Sequence, residues 1–388
     1  MSKIGIFVLS TKYNGGAYQY AQSIIDALII DKTHQYVLFS SEENKQFDNV
    51  KIQNLKIPTK IINKFQTVLA ALSYCSKINI SKLIYNKIDV SIFKDISLFI
   101  IPHVAPFYIA NLLKFIDKKF IVTIHDLQEK YYPNFFTLKD KIIRYLNNGA
   151  SANYSSHILC ESKYVKSDII KYLGVNENKI SIITSPPPQK FLEIKNINEN
   201  FANVKKKYGL PDNYIFYPAQ FWIHKNHLKL LEAFKIIEKK IDNFYLVLTG
   251  AKQYAYDTII KKIKDLNLED KVILLGYVDY EDLPAIYKLS KLLVMPTLFE
   301  SVSIPIYEAF ALKVPVCASN LLALPEQVGD AGLLFDPHDP NDIAEKMTKL
   351  IVDEKLCYQF KENGYNKVKN FNHINYSSKL VNIINQLI

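Results

Sequence analysis

Short apolar runs alternate with stretches of helical periodicity, stop, and then start again, and this doubled alternation constrains the fold more than any other feature of the chain. Residues 4–9, 36–39, 98–101, 120–124 and 157–160 read as strands, with a helix over 18–28. The strand 180–184 runs into Ser185-Pro186-Pro187-Pro188, a stiff extended connector, and a polar stretch from 195 to 207 follows. The pattern restarts with a strand at 214–217, a helix at 227–239, a strand at 244–249 and a helix at 256–266. It continues through 272–275, 283–289, 292–295 and 305–312. Strands alternating with helices build parallel βαβ units. With 388 residues, too many for one ordinary core, the expectation is an α/β fold of two doubly wound, Rossmann-like domains.

Composition narrows the function classes. The chain is 49% hydrophobic and 22% charged, as a globular protein is, with no low-complexity tract and no repeat. Its amino terminus enters a strand directly without a secretory pattern, and no apolar run approaches the ~18 residues of a membrane span. Cys75, Cys160, Cys317 and Cys357 are scattered, with no metal-ligand spacing, so a reduced, cytoplasmic, metal-free protein is expected. Of 48 basic residues only Arg144 is arginine. That scarcity, with no matching motif, argues against nucleic-acid binding. The net charge of +10 is uneven: residues 1–200 carry 25 basic against 16 acidic side chains. Residues 60–87, which begin at Lys60 and end at Lys87, place Ile61, Phe65, Val68, Leu72, Cys75 and Ile78 at helical spacing among lysines. Such a face suits either anionic lipid or plain solvation.

The chemistry concentrates in Glu300-Ser-Val-Ser-Ile-Pro-Ile-Tyr-Glu308. A buried strand ending at Pro296 precedes it, and a helix with proline in its first turn follows. Glu300 therefore falls on the loop at the carboxyl end of a strand, where open α/β sheets bind ligands. Glu308 falls on the helix. The amides of Val302, Ser303 and Ile304 are expected to point at an anion. Two carboxylates beside a phosphate-ready helix end suit a hydroxyl-rich, phosphorylated ligand such as a nucleotide sugar.

This stretch, with Ala309, Ala311, Pro315 and Val316, resembles the E-x7-E signature of the retaining glycosyltransferases of family 4. The likeness extends through Leu324-Pro-Glu-Gln-Val-Gly-Asp-Ala-Gly-Leu-Leu-Phe-Asp-Pro337. It implies the GT-B architecture: two Rossmann-like domains facing across a cleft, over 1–190 and 191–371, with a final helix in 372–388 returning to the first. It also implies that Glu308 holds the donor's ribose and Glu300 the sugar's hydroxyls. In Tyr217-Pro-Ala-Gln-Phe-Trp-Ile-His-Lys-Asn-His227, Lys225 matches the family lysine that neutralises the donor diphosphate. Gln220 stands where the family commonly has arginine, a form resembling a polysaccharide-assembling branch. His224 or His227 would add positive charge there. His125, in Thr123-Ile-His-Asp-Leu127, matches the histidine that contacts the transferred sugar, with two usable ring nitrogens, and Asp126 is expected to cap the next turn. Gly16, with Gly15, matches a glycine-rich loop near the donor. Ser301, Ser303 and Lys313 depart from family glycines.

Neither a D-x-D triplet nor a G-x-G-x-x-G fingerprint occurs, so no metal clamp and no nicotinamide cofactor is expected. The resemblance implies transfer of a hexose, mannose favoured, from GDP-mannose or another nucleoside diphosphate sugar. The implied acceptor is a glycan, a lipid-linked surface polysaccharide, reached at the inner face of the cytoplasmic membrane. Two other readings stay open: a GT-B sugar-nucleotide 2-epimerase, and a non-catalytic scaffold in a glycan-assembly complex.

Overall fold

The structure, a computed structural model, describes residues 1–9, 16–41, 53–57, 63–78, 80–85, 88–192 and 201–388. The chain divides into two compact units, Met1–Ser185 with His373–Ile388, and Pro186–Asn372. Both are doubly wound α/β units, as the alternation in the sequence predicts.

The first unit holds β1 (Lys3–Val8), β2 (Gln35–Ser41), β3 (Gln53–Ile57), β4 (Leu98–Ile101), β5 (Lys119–Thr123), β6 (His157–Cys160) and β7 (Ile180–Ile182). They form one sheet in the order β3-β2-β1-β4-β5-β6-β7, paired parallel throughout, with Ile6 opposite both Leu38 and Ile100. The order reverses between β1 and β4. Central strands are apolar on both sides because helices cover both faces, and side chains alternate between two cores. Ile4, Ile6, Leu98, Ile100 and Ile121 pack with helices Gly16–Ile30 and His373–Leu387 on one face. Phe7, Phe99, Ile101, Phe120 and Val122 enter the other core. Gly5 makes room for that second core, since a Cβ there would lie 2.6 Å from the Phe99 ring. The rings of Phe7 and Phe99 approach to 5.1 Å. β3, a polar edge strand, carries no apolar run from which it could be read.

The second unit holds β8 (Tyr214–Pro218), β9 (Tyr245–Thr249), β10 (Val272–Gly276), β11 (Leu292–Met295), β12 (Val316–Ser319) and β13 (Gly332–Phe335). Its parallel order is β10-β9-β8-β11-β12-β13, reversing between β8 and β11. Ligands of open α/β sheets bind outside the carboxyl ends of strands at such a reversal. That rule directs attention to the segments after β1 and β4 in one unit and after β8 and β11 in the other.

Candidate functional site

In the second unit the segments after β8 and β11 are tied to one another. Asn226 adopts the left-handed conformation (φ 58°), which asparagine tolerates. Its Nδ2 donates to the carbonyls of Pro296 (2.9 Å) and Pro337 (2.8 Å). Leu298 N donates to the His224 carbonyl at 2.8 Å, and Tyr217 Oη to that of Lys225, also at 2.8 Å. These bonds bring Lys225 against Glu300, Nζ to Oε2 2.6 Å, with both side chains mostly shielded from water. Gln220 accepts a hydrogen bond from Trp222 Nε1 at 2.9 Å. Its oxygen is therefore occupied, and its amide nitrogen is the end left to donate. Gly250, at the end of β9, permits the close approach of this segment: at φ 151° its Cβ would sit 2.4 Å from the Ala219 carbonyl. Trp222, Asn226 and Gly250 were not legible as site residues in the sequence.

His227 does not add charge here. It is buried against Phe221, ring centroids 4.8 Å apart. Burial and the neighbouring Lys225 charge push its pKa down to about 3, so the ring is neutral. His224 contributes its backbone carbonyl, which also accepts from Thr297 Oγ1 at 3.2 Å.

Helix Ile304–Ala311 carries proline in its first turn, as read from sequence, and its N-cap is Ser303. One expectation is corrected. The Ser303 amide is not open to an anion, because it donates to Gln327 Oε1 (2.8 Å) while Gln327 Nε2 donates to the Ser303 carbonyl (2.7 Å). Val302 and Ile304 remain as amides with no such clamp. Glu308 is buried; it accepts from Tyr287 Oη at 2.6 Å through Oε2, while Oε1 has no partner among the described residues. Burial lifts its pKa to about 7, against the lowering effect of the Tyr287 bond. Lys313, in place of a family glycine, does take the left-handed conformation (φ 55°), and its Nζ pairs with Glu362 at 2.7 Å.

In the first unit Gly16 opens the helix Gly16–Ile30 and is exposed, whereas Gly15 lies outside the described residues. His125 follows β5. Its Nδ1 faces Glu161 Oε2 at 3.3 Å and its Nε2 faces the Pro102 carbonyl at 3.1 Å. A carboxylate and a carbonyl both accept, so these contacts favour a ring protonated on both nitrogens. Burial by itself would lower the His125 pKa; the Glu161 bond and charge, the Asp126 charge and the Pro102 carbonyl turn the net direction upward. The expectation of two nitrogens open to a sugar is corrected accordingly, since each is engaged within the protein. Tyr20 stands edge-on to the ring at 4.6 Å and shares a 3.1 Å hydrogen bond with Thr123. Glu161 Oε1 accepts from Ser185 Oγ at 2.8 Å. His103, in the segment after β4, lies 5.7 Å from His125, and burial followed by the His125 charge holds its pKa near 3. Asp126 caps the next turn through Gln128 N (3.1 Å) and also pairs with Arg144. Glu161 and His103 carried no signal in the sequence; only the strand order places them here.

Residues 200–367 match the profile of the family described as Glycosyl transferases group 1, and residues 14–186 that of Glycosyltransferase Family 4. The chain belongs to glycosyltransferase family 4. It is 28% identical over 284 residues to O-antigen chain mannosyltransferase B of Escherichia coli, with 72% of each chain covered. It is 27% identical over 267 residues to the serotype-specific mannosyltransferase WbdA of Escherichia coli, covering 66% of this chain. The chain spans only 32% of that relative's length. Among solved structures, HepE of Anabaena in complex with UDP and glucose superposes with a TM-score of 0.77 at 15% identity, over 99% of this chain and 100% of that one. That likeness is one of fold, and the fold is GT-B.

The lysine-rich segment forms helices Lys64–Ser76 and Ser81–Tyr85; Ile61 lies outside the described residues. Its apolar stripe faces solvent: Phe65 is 71% exposed, Leu72 58% and Ile78 63%. The adjoining helix Leu138–Tyr154 extends that surface with exposed Leu138, Ile142 and Tyr145, and Tyr145 meets Tyr74 at 6.4 Å. No helix among the described residues is long and apolar enough to cross a membrane.

Proposed function

We propose that the protein is a retaining glycosyltransferase that moves a hexose, mannose by preference, from a nucleoside diphosphate sugar to a glycan acceptor. The observation that carries this reading is the Lys225–Glu300 pair, 2.6 Å apart at the strand-order reversal, with Glu300 on the strand–helix segment that also bears Glu308. Lys225 neutralises the leaving diphosphate, assisted by the Gln220 amide and the Val302 and Ile304 N–H groups. Glu300 takes the sugar's hydroxyls, Glu308 the ribose and His125 the transferred sugar, with Gly16 at the edge of the donor loop. Family membership supports these roles, the named mannosyltransferase relatives support mannose as the sugar, and GDP-mannose is the donor proposed to carry it. In the reaction the bond between the anomeric carbon and the β-phosphate oxygen breaks with its electron pair on the phosphate. The acceptor oxygen bonds to the same face of that carbon, and its proton passes to the departing phosphate.

Trp222, the single tryptophan of the chain, is bonded to Gln220 and so reports on donor binding. Titration with GDP, UDP and dTDP is expected to change its fluorescence selectively with GDP, and Glu308→Ala to abolish the response. No response to any nucleotide supports the scaffold reading. An epimerised sugar formed without acceptor supports the epimerase.

The acceptor fits a lipid-linked surface polysaccharide such as an O-antigen or capsule, reached at the inner face of the cytoplasmic membrane. The exposed Phe65, Val68, Leu72 and Ile78, continued by Leu138, Ile142 and Tyr145 and flanked by Lys64, Lys77, Lys82 and Lys139, suit an anionic lipid surface. Cosedimentation with anionic vesicles, weakened in Phe65→Ser/Leu72→Ser and absent with zwitterionic vesicles, is the expected result. Equal sedimentation of variant and parent would overturn it.

A further inference from the structure

We infer that Tyr287 is a positioning residue for the donor: its hydroxyl holds one oxygen of Glu308 and turns the other toward the ribose diol. The inference rests on the ribose-binding role of Glu308 proposed above. Tyr287 lies on helix Leu283–Leu289, is fully buried, and cannot swing. Phe216 of β8 meets its ring edge-on at 4.9 Å and 85°, and Phe191 does so at 5.7 Å and 89°. The clamped ring fixes the hydroxyl 2.6 Å from Glu308 Oε2.

The carboxyl is thereby divided into two unlike halves. Oε2 is satisfied by Tyr287. Oε1 is buried with no partner among the described residues, an arrangement that costs free energy unless something donates to it. Ribose presents adjacent hydroxyls, and each is a donor. Without Tyr287 the carboxyl could turn about its last torsion, and neither oxygen would be committed to the ligand.

The electrostatics around the carboxyl are simple. Helix Ile304–Ala311 packs against Gln189–Leu192, Leu283–Leu289, Glu354–Val368, β11 and β12. Besides Tyr287, those elements carry Lys190, Lys288, Cys317, Glu354, Lys355, Cys357, Tyr358, Lys361, Glu362, Tyr365 and Lys367, of whose side chains none bears on Glu308. Lys190 is paired with Glu281 and Glu362 with Lys313. Lys288 donates to the Leu312 carbonyl. What acts on Glu308 is burial, which raises its pKa to about 7, and then the Tyr287 hydrogen bond, which lowers it. The ribose hydroxyls donate best to the ionised carboxylate, so nucleotide binding tightens as pH rises through that value. Removing the Tyr287 hydroxyl withdraws the one stabilising bond, and the carboxyl then ionises at higher pH.

Tyr287→Phe keeps the ring and its packing, and Glu308→Gln removes the titration. Two readouts are taken on each protein between pH 5.5 and 9. One is the infrared carboxylic acid band of Glu308, without nucleotide, assigned by its loss in Glu308→Gln. The other is the Trp222 fluorescence titration with GDP and UDP. The expected result is that Tyr287→Phe moves both midpoints upward by about one pH unit, which is tenfold in nucleotide affinity below the parent's midpoint. A flat profile is expected for Glu308→Gln. Unchanged midpoints in Tyr287→Phe, with only the melting temperature lowered, overturn the positioning role and leave Tyr287 as core packing. A shifted infrared midpoint in a protein that binds no nucleotide at any pH overturns the ribose-binding reading instead.

Discussion

The two strand-order reversals are built in opposite ways. In the second unit the chemistry is local. Two segments, after β8 and after β11, supply Gln220, Lys225, Glu300 and the helix bearing Glu308, and a 2.6 Å ion pair joins them. In the first unit it is assembled. Tyr20, His103, His125, Glu161 and Ser185 come from five separate segments and converge on one imidazole ring or its carboxylate partner. The second reversal combines unlike charges, each already compensated. The first sets a histidine's charge by a glutamate distant in sequence. Local chemistry reads as a motif, whereas assembled chemistry appears only once strand order is known.

The largest expected effect tests whether the second reversal is the chemical half. Lys225→Ala removes the cation at the proposed diphosphate position and leaves Glu300 unpaired at 15% side-chain exposure. Loss of one such stabilising group costs about 10²–10³ in rate. Initial rates with saturating donor should therefore fall by that factor in protein still folded at the assay temperature, although the unpaired Glu300 lowers its melting temperature. A smaller loss than that of His125→Ala would reverse the comparison and make the first unit the chemical one.

Legibility followed the same division. β4, β6 and β11 fall on the apolar runs read from sequence, because strands buried on both faces leave no ambiguity in pattern. β3 was invisible because an edge strand does not need apolar residues on both faces. Glu300 and Glu308 were found through spacing on a strand–helix turn. The engagement of the Ser303 amide was not, because Gln327 reaches it from 24 residues away. Glu161, 36 residues from His125, was equally out of reach. A lysine-rich helix gives the same pattern whether its apolar stripe meets lipid or is only solvated, and the exposure of Phe65 and Leu72 fits both.

An intermediate effect sharpens the claim that Glu161 sets the charge of the first site. The folded pKa of His125 lies above its ordinary value, so protonation favours the folded state. That contribution is complete below the unfolded value of about 6.5 and is lost as pH rises through the higher folded value. Glu161→Gln removes the negative partner, and burial then lowers the His125 pKa instead. The sign reverses: the variant loses stability as pH falls through the unfolded value. Melting temperatures of the two proteins between pH 5.5 and 8.5 should diverge toward the acid end. His103 and His227, both held neutral, contribute equally to each and cancel in the difference. Parallel curves would show that His125 is not held as a cation by Glu161.

The smallest effect concerns Arg144, the single arginine among 48 basic residues. Its Nε donates to Glu129 at 2.7 Å, its Nη2 pairs with Asp126, and its guanidinium lies 4.9 Å from the Phe136 ring. The planar fork thus pins the segment that leaves His125 to the helix Leu138–Tyr154. A lysine can meet one of those carboxylates but cannot span both or stack in the same way. At 30% side-chain exposure the pairs are partly screened, so Arg144→Lys should lower stability by only about 1 kcal/mol. If the first unit is wired through distant partners, the damage should appear as a modest rise in donor KM with kcat unchanged, because Glu161, Tyr20 and Pro102 still hold the ring. A fall in kcat comparable to that of Lys225→Ala would mean that the few residues after β5 govern the site by themselves. The first reversal would then be as local as the second, and the contrast between them would be one of legibility in the sequence and not of construction.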